Sequence, residues 1–271
     1  MKDRTIIVTG ASDGIGRALA LALARRGAKL ALAARNATNL AEVAARCNRA
    51  GGQAVAIPTD VSQPEACRAL VERTVEHFGS IDVLVNNAGI SARARVDQIT
   101  DLSVFEHIMR TNYLSAVYCT RYALPALVAR RGLVVAVSSL QGKTGFPSWA
   151  AYSASKHAMQ GFFDSLRIEL RGSGVDVLVV CPGPVATDIH TRRIGRDDGA
   201  HSAPFRPPAG TMSADECARQ IVRAMERRRR ELLMTAMGKV GPWLKLLAPS
   251  LVDRFVADAI ARFDRAGRAQ S

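Results

Sequence analysis

The chain has 271 residues, 48% of them hydrophobic and 23% charged, which is typical of a globular protein and excludes a disordered or collagen-like chain. No stretch approaches the ~18 consecutive apolar residues of a membrane-spanning helix. The N-terminus passes directly into a strand-like run, so we expect no secretory leader and a cytoplasmic protein. With 37 basic against 24 acidic side chains the net charge is +13, which raises the question of a polyanionic partner.

The positive charge is denser toward the C-terminus. Residues 1–189 hold 21 basic and 15 acidic side chains, and the much shorter stretch 190–271 holds 16 and 9. The only run of four basic residues is Arg227 to Arg230, which is typical of a helix end where cations oppose the dipole and stay solvated. A nucleic-acid patch is the alternative, but we find no nucleic-acid-binding motif beside it. We therefore expect no nucleic-acid partner.

The chain contains five cysteines: Cys47, Cys67, Cys119, Cys181 and Cys217. Their number is odd, no CxxC spacing occurs, and no cluster of metal-ligating residues lies beside them. The pattern predicts reduced thiols in a reducing compartment and no bound metal.

Short strand-like runs alternate with helix-length segments along the whole chain. Seven runs are predicted to be strands: Thr5–Thr9, Lys29–Ala34, Gln53–Thr59, Val83–Asn86, Leu133–Ser138, Val175–Cys181 and Glu231–Thr235. Helices are predicted between them, for example over Ile15–Arg26, Leu40–Ala50 and Pro64–Phe78. Several strands are almost wholly apolar, as expected when helices cover both faces of a parallel sheet. The pattern predicts an α/β fold, a Rossmann-type doubly wound parallel sheet of about seven strands flanked by helices.

One domain is predicted over residues 1–271, because neither an internal repeat nor a low-complexity linker interrupts the chain. Within it we expect a cofactor-binding and catalytic core over 1–190, a substrate loop over 191–214 and a C-terminal helical extension over 238–271. Long loops of this kind serve either as lids or as plain connectors.

A glycine-rich turn follows the first predicted strand and leads directly into a helix. It reads Thr9-Gly10-Ala11-Ser12-Asp13-Gly14-Ile15-Gly16, a GxxxGxG spacing rather than the common GxGxxG. Glycines let the backbone approach a pyrophosphate there, and the helix N-terminus offers N–H groups and a positive dipole end. The turn is predicted to bind a dinucleotide, with a purely structural turn as the alternative. Asp13 is expected to start the helix as a cap rather than to contact an anion.

The end of the second strand indicates which dinucleotide binds. NAD enzymes place an acidic residue roughly 20 positions after the turn, where it bonds the ribose 2′-hydroxyl. This chain has no acid there before Glu42; Arg35 stands at the strand end instead, and its guanidinium suits a 2′-phosphate. Arg17 would be placed to assist. We predict NADP(H) rather than NAD(H); the alternative is that Arg35 only ends the strand in solvent.

Tyr152 and Lys156 form a YxxxK pair within a helical stretch, which puts both side chains on one face, one turn apart. A tyrosine with a pKa of about 10 is a poor acid or base at neutral pH. A neighbouring ammonium favours the phenolate, so Lys156 is predicted to lower the pKa of Tyr152 and bring proton transfer into range.

Further polar and turn-forming residues stand at the carboxyl ends of strands, where doubly wound sheets bind ligands. The fourth strand ends in Asn86-Asn87-Ala88-Gly89 and the fifth in Ser138-Ser139. The sixth is followed by Pro182-Gly183-Pro184-Val185-Ala186-Thr187, and Asn112 lies in a helical run before the fifth strand. The tyrosine–lysine pair alone is weak evidence for an active site, and these residues strengthen it.

In chain order the motifs are TGASDGIG, Asp60-Val61, NNAG, Asn112, Ser139, YSASK and PGPVAT. This ordered set resembles the short-chain dehydrogenase/reductase family over residues 5 to about 190, some two-thirds of the chain. Each motif alone is weak evidence for the family, whereas the whole set in this order is highly specific for it. The resemblance implies hydride transfer between a nicotinamide cofactor and a carbonyl or secondary alcohol.

The resemblance also implies a role for each matching residue. Tyr152 would be the general acid/base, Ser139 would hydrogen-bond the substrate oxygen, and Lys156 would also hold the nicotinamide ribose. Asn112 would anchor a water linking Lys156 to solvent. Together with Tyr152, Lys156 and Arg35, the cofactor would be lined by Gly10, Ser12, Asp13, Gly14, Ile15, Gly16, Asp60, Val61, Asn87, Ala88, Gly89, Pro182, Gly183, Val185 and Thr187. The chemistry of the residues agrees with these roles, because two hydroxyls that hydrogen-bond one substrate oxygen polarise it as an oxyanion hole does. The alternative for Ser139 is that it only caps the end of the strand.

Substrate selection is expected from residues 90–96, from residues 141–149 and from the loop after Thr187. Phe146, Trp149 and Ile189 predict a partly apolar pocket. Arg192 and Arg193 either meet an anionic substrate group or lie in solvent. Phe205 lies in the same loop, and His190 is given no role.

The C-terminal extension carries apolar residues at helical spacing, with charged residues opposite: Val252, Phe255, Val256, Ala259, Ile260 and Phe263. It is predicted to pack on the core or on a neighbouring subunit. The alternative is a basic amphipathic helix after Trp243 that makes peripheral contact with a membrane. A homodimer or homotetramer, through helices around 101–130 and 152–171, is expected by resemblance only.

The leading interpretation is an NADP(H)-dependent carbonyl reductase or alcohol dehydrogenase acting on a hydrophobic ketone, steroid or lipid-like substrate. A 3-oxoacyl thioester is the competing substrate. A non-catalytic dinucleotide sensor of the same fold is the alternative from another class, although a sensor does not need Ser139, Tyr152, Lys156 and Asn112 together.

Overall fold

The computed structural model describes residues 1–187 and 211–268, with side chains as far as Ile260. Its strands are β1 (Thr5–Thr9), β2 (Lys29–Ala34), β3 (Gln53–Pro58), β4 (Val83–Asn86), β5 (Leu133–Val137), β6 (Asp176–Cys181), β7 (Val185–Ala186), β8 (Met212–Ser213) and β9 (Glu231–Leu233). Seven of them form a parallel sheet in the order β3-β2-β1-β4-β5-β6-β9.

Helices connect the strands and cover both faces of the sheet. They are α1 (Gly14–Ala24), α2 (Ala37–Arg49), α3 (Pro64–Phe78), α4 (Ser103–Met109), α5 (Ser115–Ala129), α6 (Ala150–Glu169), α7 (Ala214–Glu226), α8 (Ala236–Leu247) and α9 (Pro249–Arg268). A π-helical turn over Arg110–Leu114 joins α4 to α5, and 3-10 turns lie at Val96–Gln98 and Leu140–Gly142.

The core lies in two layers, one on each side of the sheet. In β5, for example, Leu133 and Val135 face the layer formed with α1, α2 and α7, while Val134 and Ala136 face the layer formed with α3, α5 and α6. Because both faces are buried, every residue of β5 is apolar, which is why the strands were recognisable as apolar runs.

The predicted α/β fold and its seven sheet strands are confirmed, with strand ends that differ by at most two residues. The connections from β1 run in opposite directions, because β1 pairs with β2 on one side and with β4 on the other. This reversal opens a crevice at the carboxyl ends of the strands, where ligands bind in such sheets. The division of the chain into core, loop and extension within one domain stays a prediction.

The predicted substrate loop is closed at its base by a short parallel ladder that the sequence did not reveal. Val185 pairs with Met212 and Ala186 with Ser213, so residues 212 and 213 of the predicted loop are strand. Residues 188–210, and with them the expectations for Ile189, His190, Arg192, Arg193 and Phe205, lie outside the described residues.

The basic run follows α7 directly, as predicted, since that helix ends at Glu226. Arg228, however, is not simply solvated. It adopts a positive φ of 45°, forms an ion pair with Asp176 and donates to the carbonyls of Arg131, Gly132 and Gly174. The run thereby fastens the end of α7 to the turns that precede β5 and β6.

The C-terminal extension forms two helices separated only by Ala248. On α9, Val256 is buried, in agreement with packing on the core, whereas Phe255 of the same predicted stripe is exposed. None of the described helices is long and apolar enough to cross a membrane.

All five cysteines are buried free thiols. Over the part of the chain that the structure describes, no group of three or more His, Cys, Asp or Glu side chains is arranged to hold a metal ion.

Candidate active site

A cavity of about 580 Å³ lies at the carboxyl edge of the sheet. Asn112 and Arg17, which was expected to assist Arg35, do not line it; all other predicted cofactor and catalytic residues do: Gly10, Ser12, Asp13, Gly14, Ile15, Gly16, Arg35, Asp60, Val61, Asn87, Ala88, Gly89, Ser139, Tyr152, Lys156, Pro182, Gly183, Val185 and Thr187. Lining residues that the sequence did not assign to the site include Asn36, Thr59, Thr111, Leu140 and Ile260. Residues from most of the chain therefore converge on one elongated site.

The glycine turn between β1 and α1 is shaped by close backbone contacts. Gly10 has a φ of +65°, and a Cβ there would lie 2.9 Å from the Cα of Ala88. A Cβ on Gly16 would lie only 2.1 Å from the carbonyl oxygen of Gly10. Asp13 occupies the N-cap position of α1, as expected, although its side chain does not cap the helix. The glycines are required for this path of the chain whether or not a ligand is bound.

The turn is latched to the end of β4 through Thr9. The Thr9 hydroxyl donates to the carbonyl of Val85 at 3.2 Å and accepts the N–H groups of Asn87 and Ala88, each at 3.0 Å. The side-chain Nδ2 of Asn87 donates in turn to the carbonyls of Thr9 and Gly10, at 2.9 and 3.2 Å. These bonds fix the two strand ends that border the crevice.

The residues present fit a dinucleotide. The N-terminus of α1 opens into the cavity at Gly14, where a Cβ would lie 3.3 Å from Cγ2 of Thr187 on the opposite wall. Any side chain at that position would narrow the space that a pyrophosphate needs beside the helix N-terminus. Arg35 is exposed where the cavity passes the end of β2, and no acidic residue of that segment lines it there. Asp60 accepts the N–H of Ser62 at 3.0 Å in the same region.

Ser139 and Tyr152 form the hydroxyl pair of the site. Ser139 lies directly after β5, where its hydroxyl oxygen accepts the N–H of Gln141 at 3.1 Å and caps the 3-10 turn. It also hydrogen-bonds Tyr152, which lowers the pKa of that phenol. The strand-end cap and the catalytic role expected for Ser139 are thus compatible, because the acceptor bond from Gln141 leaves the hydroxyl proton available for donation.

The pKa of Tyr152 differs in direction from the prediction. Burial of the phenol raises its pKa to about 12, and the Ser139 hydrogen bond only partly opposes this effect. The ring of Trp149 packs edge-on against Tyr152 with centroids 6.1 Å apart, which helps to keep water away. The pKa of Tyr152 is therefore raised and not lowered as predicted, because desolvation of the phenolate is the largest effect on it. The contribution of Lys156 to this pKa stays a prediction.

Lys156 is buried beneath Tyr152 and points toward the sheet. Its Nζ donates to the carbonyl of Val137 at 2.9 Å, contacts Sδ of Met159 at 3.6 Å and lies 5.6 Å from the centroid of the Tyr152 ring. Burial lowers the pKa of Lys156 to about 8, with a small opposing effect of Cys181. The site therefore holds a buried cation that titrates close to neutral pH.

Asn112 is fully buried in the π-helical turn and does not line the cavity. Its Oδ1 accepts the N–H of Ile90 at 2.8 Å, and its Nδ2 donates to the Ile90 carbonyl at 3.0 Å and to Ser155 Oγ at 2.9 Å. The side chain therefore ties the loop after β4 to α6. The predicted water link to Lys156 stays a prediction.

A second polar contact holds α6 against the sheet, and the sequence did not reveal it. Ser138 Oγ donates to the Lys156 carbonyl at 3.2 Å, and Gln160 Nε2 donates to Ser138 Oγ and Cys181 Sγ at 3.2 and 3.1 Å. Gln160 follows Lys156 by one turn, so the signal for this contact was a second polar residue at helical spacing on the same face.

The wall opposite the glycine turn is mostly apolar. Its side chains come from the loop after β4, from the segment after β5 and from α9: Ile90, Leu140, Phe146, Trp149 and Ile260. Residues 90–96 and 141–149 were expected there, whereas Ile260 brings the C-terminal helix into the site. Arg93, Thr111 and Gln141 add polar groups. The cavity thus combines a polar half, formed by the glycine turn and the strand ends, with an apolar half formed by these side chains, and Ser139 and Tyr152 line the same cavity.

Comparison with known proteins agrees with this geometry. The sequence profile of the family described as short chain dehydrogenase matches residues 4–197. The mouse protein named dehydrogenase/reductase SDR family member 7B is 34% identical over 263 residues, which are 95% of this chain and 81% of that protein. The Arabidopsis thaliana protein named 11-beta-hydroxysteroid dehydrogenase 1A is 36% identical over 261 residues, covering 92% of this chain and 73% of that protein.

Solved structures show the same fold. A short chain dehydrogenase/reductase from Burkholderia phymatum in complex with NAD superposes with a TM-score of 0.82 at 26% identity, covering 92% of this chain and 95% of that one. An alcohol dehydrogenase from the archaeon Thermococcus sibiricus, complexed with 5-hydroxy-NADP, superposes with a TM-score of 0.75 at 28% identity, covering 85% and 95%. The chain belongs to the short-chain dehydrogenase family, whose members are oxidoreductases that act on alcohol or ketone groups with a nicotinamide cofactor.

Proposed function

We propose that this protein interconverts a hydrophobic ketone, of steroid or lipid type, and its secondary alcohol with NADP(H). The observation that carries the proposal is the apolar wall of Leu140, Phe146, Trp149 and Ile260 in the same cavity as the hydroxyls of Ser139 and Tyr152. An apolar wall favours substrates that lose little hydration on entry, and the hydroxyl pair orients their single polar oxygen. The name of the Arabidopsis relative, a hydroxysteroid dehydrogenase, supports this substrate class.

The preference for NADP(H) rests on Arg35. It lines the cavity at the end of β2, between Ala34 and Asn36, where an NAD enzyme would carry a carboxylate. A guanidinium there can bind a 2′-phosphate through charge-assisted hydrogen bonds, and nothing acidic on that strand end would repel the phosphate. Asp60 and Val61 would border the adenine, while Val185 and Thr187 would hold the carboxamide.

The chemistry divides between the cofactor and the side chains. When bound, the nicotinamide supplies the hydride to the carbonyl carbon, or accepts it in the reverse direction. In reduction, Tyr152 donates its phenolic proton to the carbonyl oxygen while Ser139 hydrogen-bonds the same oxygen, which bears the developing negative charge. In oxidation the phenolate of Tyr152 takes the alcohol proton.

Lys156 assists proton transfer by placing a positive charge near Tyr152. Its ammonium lies 5.6 Å from the centroid of the Tyr152 ring, inside a buried site where charges interact strongly. The cation therefore stabilises the negative charge that appears on the phenol oxygen as the proton leaves. Lys156 would also bind the nicotinamide ribose.

A homodimer or homotetramer is part of the proposal. Large apolar side chains are exposed on the helices named by the family resemblance, namely Leu102 beside α4, Val128 on α5 and Ile168 on α6. A second copy that packs on these helices would bury these side chains.

The experiment that tests the proposed function follows NADPH oxidation over a panel of steroid ketones, other apolar ketones and 3-oxoacyl thioesters. We expect turnover of apolar ketones with a kcat/KM at least about tenfold above that of any thioester. Turnover of thioesters alone would contradict the substrate class. Tight NADPH binding without turnover of any compound would favour the dinucleotide sensor.

A further inference from the structure

Helix α8 is packed in the opposite sense to an ordinary surface helix. Its inner face is made of small residues: Gly238 is buried against Leu140, and a Cβ there would lie 2.4 Å from Cδ2 of that leucine. Gly241 and Pro242 are half-buried on the same side. A helix that stabilises a soluble fold usually turns its large apolar side chains inward.

The outer face carries the large apolar side chains. Met237 and Val240 are each 52% exposed, Trp243 69%, Leu246 77% and Leu247 85%. At 100° per residue these five positions fall within about half of the helix circumference. Leu251 and Phe255 of α9 are exposed as well and extend the apolar face beyond the end of α8. A contiguous exposed apolar patch of this kind marks a binding surface.

The charges around this face have one sign on α8. Its only charged residues are Lys239, which is exposed, and Lys245, whose Nζ donates to Thr144 Oγ1 at 3.2 Å. Residues 236–271 together contain six basic and three acidic side chains. On α9 the exposed Arg254 lies beside Phe255 but is balanced by the exposed Asp253, so the unbalanced charge at this face is Lys239 of α8. The partner of this surface is therefore apolar with anionic groups at its edge.

The same two helices border the entrance to the active site. Leu140, against which Gly238 packs, lines the cavity and follows Ser139 directly. Ile260 of α9 lines the cavity from the other side. Whatever binds the outer face of α8 therefore lies next to the apolar half of the site.

We propose that the outer face of α8, with Leu251 and Phe255, docks on the surface of a lipid bilayer that contains anionic lipids. Tryptophan and leucine side chains enter the boundary between headgroups and acyl chains, while lysines remain at the anionic headgroups. At 12 residues α8 is about 18 Å long, so it lies on the bilayer rather than across it. In this position the cavity receives an apolar substrate from the membrane, a consequence that rests on the proposed function.

A second copy of the chain fits this face less well. A two-fold interface centred on the outer face of α8 would contain the exposed Lys239 from both copies and no acidic residue from either α8. Like charges brought together in an interface oppose association. Anionic headgroups supply the missing counter-charge.

The test is co-sedimentation of the full chain with vesicles of phosphatidylcholine alone and of phosphatidylcholine with phosphatidylserine. We expect binding to the vesicles that contain phosphatidylserine, weakened by added salt. Trp243 is exposed and Trp149 is buried, so a blue shift of tryptophan emission should accompany binding and disappear in Trp243→Phe. The shift would then place α8 itself in the lipid boundary.

Substitution of the exposed leucines tests the surface directly. Leu247→Glu should reduce vesicle binding about tenfold or more, and its high exposure leaves the fold independent of this side chain. Leu244→Glu and Val75→Glu form a matched pair, since the two side chains are 38% and 37% exposed on helices. Only Leu244→Glu should weaken binding.

Three results would overturn the proposal: no vesicle binding by the natural chain, unchanged binding by Leu247→Glu, or self-association without lipid that Leu247→Glu abolishes. The last would identify a second copy as the occupant. Reduction of a water-soluble ketone should be the same for Leu247→Glu and the natural chain. Absence of vesicle binding by the natural chain with turnover intact would thus refute the docking surface alone, and vesicle binding without turnover of any ketone would refute the proposed function alone.

Discussion

The ammonium of Lys156 lies 5.6 Å from the ring centroid of Tyr152 and donates to the Val137 carbonyl at 2.9 Å. Burial acts on both groups in favour of their neutral forms, raising the pKa of Tyr152 to about 12 and lowering that of Lys156 to about 8. At neutral pH the pair therefore consists of a protonated phenol and an ammonium close to its titration range. This is the state that general acid catalysis of carbonyl reduction requires.

Because Lys156 is buried, we predict that its positive charge lowers the stability of the folded protein. Between pH 8 and 10.5 the unfolded chain still binds the proton that the folded chain has released, so the free energy of unfolding rises with pH across this window. Lys156→Met removes the contribution. At pH 7 the variant should be more stable than the natural chain, by about 1–3 kcal/mol, with the difference shrinking above pH 8.

Urea denaturation across this pH range measures the difference between the two proteins. Taking the difference removes the effect of buried cysteines away from Lys156 such as Cys47, whose pKa is raised to about 11 and whose contribution falls as the pH rises. Lys29→Met, at the start of β2, is the control and should leave the rise in place. If the difference in the free energy of unfolding between the natural chain and Lys156→Met did not vary with pH, the lowered pKa of Lys156 would be contradicted.

The same titration predicts the pH dependence of catalysis. The kcat/KM for ketone reduction should fall above about pH 8 with the loss of one proton, because the uncharged amine no longer stabilises negative charge on the Tyr152 oxygen. Tyr152 itself stays protonated up to about pH 12 and adds no step in the measurable range. Steady-state kinetics over pH 6 to 10 would show the effect, and a profile flat through pH 9 would disprove it.

Arg35→Ala should reduce kcat/KM for NADPH by about 10–100-fold, the loss expected for a charge-assisted contact with a phosphate, and leave kcat/KM for NADH almost unchanged. Arg17→Ala is the control, since Arg17 does not line the cavity. Kinetics with the two cofactors at a fixed ketone concentration separate the variants. An equal loss with NADPH and NADH in Arg35→Ala would mean that this arginine does not read the 2′-phosphate.

Gly16→Ala should damage both stability and cofactor binding. The new methyl group would lie 2.1 Å from the Gly10 carbonyl oxygen and 2.6 Å from Nδ2 of Asn87, so the turn must move. We expect a loss of about 1–3 kcal/mol in stability and NADPH affinity lower by about 100-fold.

Gly161→Ala is the matched control for this substitution. Gly161 lies within α6 and a Cβ there meets nothing within 4 Å, so alanine should stabilise the protein by about 0.5–1 kcal/mol. Thermal unfolding and NADPH titration of both variants provide the comparison. Equal effects of the two substitutions would refute the steric account of the turn.

Much of the fold was predictable because the strands are buried on both faces and read as apolar runs. The strand-end residues were predictable for the same reason: once the strands are placed, Ser139, Asn87 and the glycine turn must meet at one edge. Tyr152 and Lys156 were predicted to lie together on one face of a helix from their spacing of four residues.

Properties that depend on packing between distant segments were not predictable. The sign of the Tyr152 pKa shift follows from its burial, which a tyrosine–lysine spacing does not reveal. The side chain of Asn112 bonds Ile90 and Ser155, and Ile260 reaches the cavity from the far end of the chain. The exposed apolar face of α8 was not predicted, because the helix packs on the core through Gly238, which has no side chain to contribute to an amphipathic pattern.

The most direct test of the central claim is the activity of Tyr152→Phe on an apolar ketone, measured beside its affinity for NADPH. The substitution removes one hydroxyl from a half-buried ring, so the cavity should keep its shape. The account predicts a fall in kcat of about 100-fold to 10,000-fold, with an NADPH dissociation constant within about threefold of the natural value. Turnover by Tyr152→Phe close to that of the natural chain would contradict it.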